Sequence, residues 1–175
     1  MLSRVFCATL LATALLAGLS LATSQSAADA SAPQLDTSHS LVLASVSKAL
    51  SSTPRQRALA WAEAQIGCWY HYGRTGPCSH GFDCSGLVYA AYKHVGLYFG
   101  RDTYAMRHSS KLVRTTHPKP GDLAFFGTGH VELYLYGGKY SGETVGAHHT
   151  GTRVSKRKYS KYYHPTVFYH VKGAA

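Results

Sequence analysis

The chain has 175 residues, with 18 Lys plus Arg against 8 Asp plus Glu, a formal net charge of +10, and a 45% hydrophobic composition. That length fits one domain around a single core, and no internal repeat or second domain is visible. The positive charge suits a polyanionic surface; with no RNA- or DNA-binding motif beside it, nucleic acid is not the expected partner.

Met1 to Ala30 carries one early basic residue, Arg4, runs apolar from Val5 through Leu21, and ends in Ala28-Asp29-Ala30, with a second small-residue site at Ala30-Ser31-Ala32. The run is short for a membrane span and has no stop-transfer flank. Residues 1–30 therefore read as a secretory signal that is removed, giving a soluble exported protein without stable membrane insertion. After Ala30 there remain 17 basic and 7 acidic residues, so the net charge is unchanged. Residues 31–52, rich in Ser, Ala and Thr, read as a disordered spacer in which Leu41 to Leu50 could form a weak helix.

The folded domain spans residues 53–175. Thr53-Pro54-Arg55-Gln56 has the capping-box pattern with proline at the first helical position, and predicts a helix burying Ala58, Leu59, Ala62 and Ile66 until Gly67 ends it. A Gly- and Pro-containing loop follows. Asp83 caps a second helix whose apolar positions Leu87, Val88, Ala91, Tyr92 and Val95 repeat at helical spacing until Gly96. A short third helix is expected over Thr103 to Ser109. After Pro120-Gly121-Asp122 the period becomes two: Leu123 to Phe126, His130 to Tyr136, Glu143 to His148 and Thr166 to Val171 read as antiparallel strands, with a hairpin turn at Gly137-Gly138. Helices first and strands later indicate a segregated α+β fold.

Outside the signal the cysteines are Cys68, Cys78 and Cys84. The simplest arithmetic pairs Cys68 with Cys78 and leaves Cys84 free. The rival is a structural zinc site of Cys68, His71, Cys78 and His80, a spacing that matches no common zinc module. Cys84 lies where a helix begins, and the positive end of the helix dipole favours its thiolate. Gly129-His130-Val131 places an imidazole at the head of a strand, and the two side chains together have the character of a nucleophilic cysteine hydrolase. The stretch from Lys156 to His164 is basic and aromatic; it suits a solvated edge or contact with an anionic polymer.

Asp83-Cys84-Ser85-Gly86-Leu87-Val88, followed by Arg101, then Pro120-Gly121-Asp122-Leu123 with Phe125-Phe126, then Gly129-His130-Val131 with Tyr134, resembles the NlpC-type cell-wall peptidases. The resemblance covers the chain from about Thr53 onward. It implies a papain-like fold with N-terminal helices packed on the antiparallel sheet, and cleavage of peptidoglycan stem peptides by a cysteine mechanism that needs no metal or organic cofactor. It implies Cys84 as nucleophile, His130 as general base, Tyr70 as an oxyanion donor, and Asp83, Ser85 and Arg101 on the substrate side, with Arg101 more an ion-pair partner than a catalyst. The bond it points to is the γ-D-glutamyl link to a diamino acid, cut by a monomer that is secreted or wall-associated.

The chain departs from the family at the third catalytic position. Relatives carry a histidine where this chain has Gly146. His148 shares a strand face with residue 146 and is preferred over His149 for orienting His130; Glu132, where relatives more often have glycine, is the other candidate. That displacement leaves open a catalytically silent wall-binding module, and an acyltransferase of the same broad fold is a further alternative.

Overall fold

The computed structural model describes residues 37–175. The segment read as a secretory signal and the start of the spacer lie outside the described residues. Within the remaining spacer, α1 spans Thr37–Ser51, longer than the weak helix expected there. Its Leu41, Val42, Leu43 and Val46 are all exposed, so none of these four joins the core.

Helix α2 (Pro54–Glu63) begins as expected: the Thr53 hydroxyl accepts from the Gln56 N–H at 3.3 Å, and Gln56 Oε1 accepts from the Thr53 N–H at 2.8 Å. It buries Ala58, Leu59 and Ala62 but stops earlier than expected. Residues 64–67 form a turn that hands the Gly67 N–H to the Val154 carbonyl, and this turns Ile66 out to 46% exposure rather than into the core. Helix α3 (Cys84–His94) is capped by Asp83 and buries Leu87, Val88, Ala91 and Tyr92. Helix α4 is the short turn Thr103–Arg107, capped by Asp102.

Six antiparallel strands follow: β1 (Leu112–Thr115), β2 (Leu123–Phe126), β3 (His130–Gly137), β4 (Gly142–Gly146), β5 (Ser155–Tyr159) and β6 (Val167–Val171), in the order β1-β6-β2-β3-β4-β5. The two absent from the sequence reading, β1 and β5, are the sheet edges. Edge strands carry charge as protection against further pairing, so Ser155-Lys156-Arg157-Lys158-Tyr159 shows no apolar alternation. The β4 strand ends at Gly146, leaving His148 beyond it.

Alternation divides the sheet into two faces. Leu123, Phe125, Val131, Leu133 and Val145 join α2 and α3 in the main core. Ala124, Phe126, Tyr134, Tyr159 and Phe168 form a smaller aromatic cluster of their own. This is an α+β fold with its helices on one face of the sheet. Cys68 and Cys78 are joined by a disulfide across ten residues, which sets aside the zinc reading; a loop of that length contributes on the order of 2–3 kcal/mol.

Candidate active site

Cys84 is the first residue of α3, buried, with its Sγ 3.9 Å from the Gly129 carbonyl. It is the free cysteine among the described residues. Its neighbours fix it through backbone bonds: Phe82 N–H donates to the Trp69 carbonyl, and Asp83 N–H to the Arg74 carbonyl. The glycine of the motif is a packing requirement. A Cβ at Gly86 would lie 2.8 Å from Asp83 Oδ1 and closer still to the Arg74 carbonyl.

Asp83 is engaged on both oxygens. Oδ1 accepts from Gly86 N–H at 2.6 Å, Ser85 Oγ at 3.2 Å and Arg101 Nη1 at 3.2 Å; Oδ2 accepts from Gly73 N–H at 2.8 Å and Arg101 Nη2 at 3.0 Å. Arg101 Nη1 also reaches Ser85 Oγ at 3.2 Å. The three residues expected on the substrate side thus form one network that braces the start of α3.

Tyr70 lies beside them because its backbone bridges Phe82. Burial pushes its hydroxyl above the ordinary value, with Cys84 and Asp83 adding to the effect, so it stays protonated as a donor.

His130 opens β3, half-buried. Its Nε2 donates to Glu132 Oε1 at 2.6 Å, which leaves Nδ1 as the nitrogen free to serve the thiol. Burial works against its charge, but the influence of Cys84 and Glu132 outweighs it and pushes the imidazole up from 6.5 to about 9.

The side chain bonded to the imidazole is Glu132, and His148 bonds to that carboxylate. Two positions along the same strand bring its carboxylate under the ring without any crossing to β4. Glu132 is fully buried, and Oε1 also accepts from His148 Nδ1 at 2.8 Å and from Arg157 Nη2, while Oε2 accepts from the Thr144 hydroxyl. His148 does face this site, as strand parity suggested, but it meets the carboxylate; its own Nε2 lies 3.0 Å from Ser155 Oγ. His149 turns away into a loop, its Nδ1 at 2.9 Å from the Thr150 carbonyl. Burial alone would raise the Glu132 carboxyl, but the bonds from His130 and His148 and the Arg157 charge hold it well below the ordinary range.

Gly146 explains the exchange. A Cβ there would lie 2.5 Å from Glu132 Cγ, so the space that a side chain at 146 would fill is occupied by Glu132. His130, Glu132 and His148 also form a metal-capable triple among the described residues, their ligand atoms within 4.8 Å of one another. Its carboxylate is already occupied by the Arg157 guanidinium, two imidazoles and a hydroxyl, which is an arrangement of donors around an anion.

Arg157 and Thr144 escaped sequence reasoning. Arg157 lies in the basic stretch, where its neighbours hide it: Lys156 pairs with Glu63 at 2.7 Å, and Arg157 turns inward over the rings of Phe126 and Tyr163. The one available hint was that a buried glutamate needs a cation nearby.

The two shifted groups bracket a pH window. Glu132 is held below its ordinary 4.5, so its stabilisation is complete above about that pH and is lost as acid protonates the folded carboxylate. His130 is raised from 6.5 to about 9, so its contribution is complete below the first value and is lost as pH rises through the second. Thermal unfolding across pH is expected to give a maximum between these limits. A midpoint still rising through pH 9 would contradict the ion pair.

The model of the NlpC/P60 family matches residues 67–172. Among curated proteins, the chain is 32% identical to a probable endopeptidase p60 of Listeria grayi over 93 residues, 51% of this chain and 18% of that protein. It is 40% identical to the murein DD-endopeptidase MepH of Escherichia coli over 85 residues, 43% of this chain and 31% of that protein. The chain therefore spans less than a third of the length of either relative. Among solved structures, the NlpC/p60 domain of the peptidoglycan hydrolase SagA superposes with a TM-score of 0.56 at 28% identity, covering 67% of this chain and 98% of that one.

Proposed function

This chain belongs to the NlpC/P60 family, and on that premise we propose that it is a secreted cysteine peptidase hydrolysing amide bonds in peptidoglycan stem peptides. The observation that carries the reading is the order Cys84, His130, Glu132: a cysteine at a helix start, an imidazole whose charged form it favours, and a buried carboxylate bonded to the imidazole Nε2. The names of the murein DD-endopeptidase relative and of the peptidoglycan hydrolase SagA support peptidoglycan as the substrate.

In the first half-reaction Cys84 Sγ attacks the amide carbon, and the C–N bond breaks as His130 gives its Nδ1 proton to the leaving amine. Tyr70 and backbone N–H groups at the start of α3 stabilise the oxyanion; losing one such donor costs about 2.7–4 kcal/mol of barrier. Water then attacks the thioester, its proton passes to His130, and the thiolate departs. Glu132 keeps the ring in one tautomer and stabilises its charge throughout. An acceptor other than water would make the same centre an acyltransferase. A silent wall-binding module would gain nothing from a buried carboxylate fixed on the imidazole. Residues 1–30 serve as the export signal, residues 31–52 as a spacer ahead of the catalytic domain, and the enzyme works as a monomer.

The test is mass spectrometry of peptidoglycan fragments incubated with the protein and with Cys84→Ala. New stem-peptide products from the unsubstituted protein alone are expected, with cleavage at the γ-D-glutamyl link to the diamino acid. Products from both proteins, or from neither across several wall types, would remove the hydrolase reading.

A further inference from the structure

Glu132 draws its partners from several parts of the sheet: His130 from its own strand β3, Thr144 from β4, His148 from the segment after β4, and Arg157 from β5. Of these only Arg157 carries a permanent charge. Strand parity delivers it. Ser155, Arg157 and Tyr159 are the less exposed row of β5, and Arg157 stands directly opposite Thr144 in the β4–β5 register.

The guanidinium meets the imidazole as well as the carboxylate. Nη2 donates to Glu132 Oε1 and lies 3.4 Å from His130 Nε2, so two N–H groups converge on one oxygen. Nε is buried and makes no hydrogen bond among the described residues. Aromatic faces hold the group in place of further polar bonds: Cζ lies 4.9 Å from the Tyr163 ring centroid and 5.5 Å from that of Phe126. Those two rings stack on each other with centroids 4.8 Å apart, and Phe126 borders the His130 ring at 5.8 Å. Tyr163 belongs to the β5–β6 connection, where it exchanges backbone hydrogen bonds with Ser160, so its ring is presented from a closed turn.

We propose that Arg157, seated on the stacked rings of Phe126 and Tyr163, is a positioning residue that acts through Glu132 and limits how tightly the carboxylate holds the His130 proton. The proposal rests on the hydrolase reading for the step it serves. Around the imidazole, the charges then cancel in each state of that reaction. At rest the Cys84 thiolate balances the imidazolium and Arg157 balances Glu132, while Asp83 beside the thiol is paired with Arg101. Once His130 has given its proton to the leaving amine and Cys84 is acylated, Arg157 and Glu132 still balance. Without the guanidinium, an uncompensated buried carboxylate would face the ring and retain the proton that the amine must receive. His148 gives that carboxylate a hydrogen bond but no permanent charge.

The test follows the His130 ring by NMR across pH, its signals assigned by their loss in His130→Gln. Arg157→Gln is expected to raise the ring's titration midpoint by about one pH unit, and to lower kcat/KM on a stem peptide by about tenfold. Glu132→Gln should move the midpoint the opposite way, so the pair of signs distinguishes a cation from an anion acting on one ring. Arg157→Lys keeps the charge and should retain most of the midpoint. Tyr163→Ala removes a half-exposed ring and should give a smaller rise, Tyr163→Phe none. An unmoved or lowered midpoint in Arg157→Gln overturns the proposal, as does a rise in Arg157→Lys of equal size. If Arg157→Gln does not fold, the sign of the shift in Tyr163→Ala decides. Ring titration needs no turnover. Midpoints that move as expected in a protein without hydrolysis would remove the hydrolase reading and keep the link from Arg157 to His130. Hydrolysis with unmoved midpoints would do the reverse.

Discussion

Glu132→Ala is expected to lower kcat/KM by about a thousandfold or more, and to cost about 3–5 kcal/mol of stability. Both losses come from one atom set. Glu132 Oε1 is the shared acceptor for His130 Nε2, His148 Nδ1 and Arg157 Nη2, and the side chain has no exposure to water. Removing it leaves a guanidinium in a half-buried site without its counter-charge and frees the catalytic ring to rotate or change tautomer. Glu132→Gln separates the two roles, because it keeps the shape and an acceptor oxygen but removes the charge. Its activity is expected to fall nearly as far, and the alkaline limb of its pH profile to lie at lower pH than that of the unsubstituted protein, since part of what raises His130 is gone. An unchanged alkaline limb with lowered stability would make Glu132 a packing residue only. The measurements are kcat/KM against pH on a stem-peptide substrate and thermal unfolding of each variant.

Gly146→His is expected to inactivate the enzyme by about a hundredfold or more, although it installs the residue relatives carry at that place. The new Cβ would lie 2.5 Å from Glu132 Cγ, so either the carboxylate leaves the imidazole or β4 moves away from β3. Even Gly146→Ala should show most of the damage, since the conflict begins at Cβ. The compensating change is Glu132→Gly. In Gly146→His/Glu132→Gly the space is vacated before it is refilled, and activity is expected to recover by at least about tenfold over either single variant. The coupling between the two positions should reach about 1–3 kcal/mol. Recovery stays partial while Arg157 remains, because its guanidinium would face an imidazole instead of a carboxylate; Arg157→Gln in the same background should improve it. Additive losses from the two substitutions would show that 132 and 146 do not share one space.

Much of the fold was legible because local rules and tertiary packing agree. The Thr53–Gln56 capping box, the Asp83 cap and the inward alternation of β2 and β3 all form as read. The failures occur where charge stands in for apolar pattern. Ser155 to Tyr159 reads as a basic stretch because an edge strand needs no second apolar face, and this concealed both β5 and the inward role of Arg157. Ile66 fits the helical stripe, yet a turn made for the Gly67–Val154 bond takes it out of the helix. At the site, His148 does reach the expected face, although β4 ends at Gly146 and strand parity does not extend to it. Which acceptor it would meet depended on Glu132 filling the space over Gly146, and that is a property of two strands together.

Glu132 and His130 ride on a single strand two residues apart, so their separation is set by the covalent pleat of β3. A base oriented from β4 would instead inherit every slip of the β3–β4 pairing, which already carries an irregularity between Tyr134 and Tyr136. Keeping both partners on one strand makes them a heritable unit, transferable as three consecutive residues. The segment after β4 is then relieved of touching the base; through His148 it props the carboxylate instead, so a slip there reaches the imidazole only at second hand.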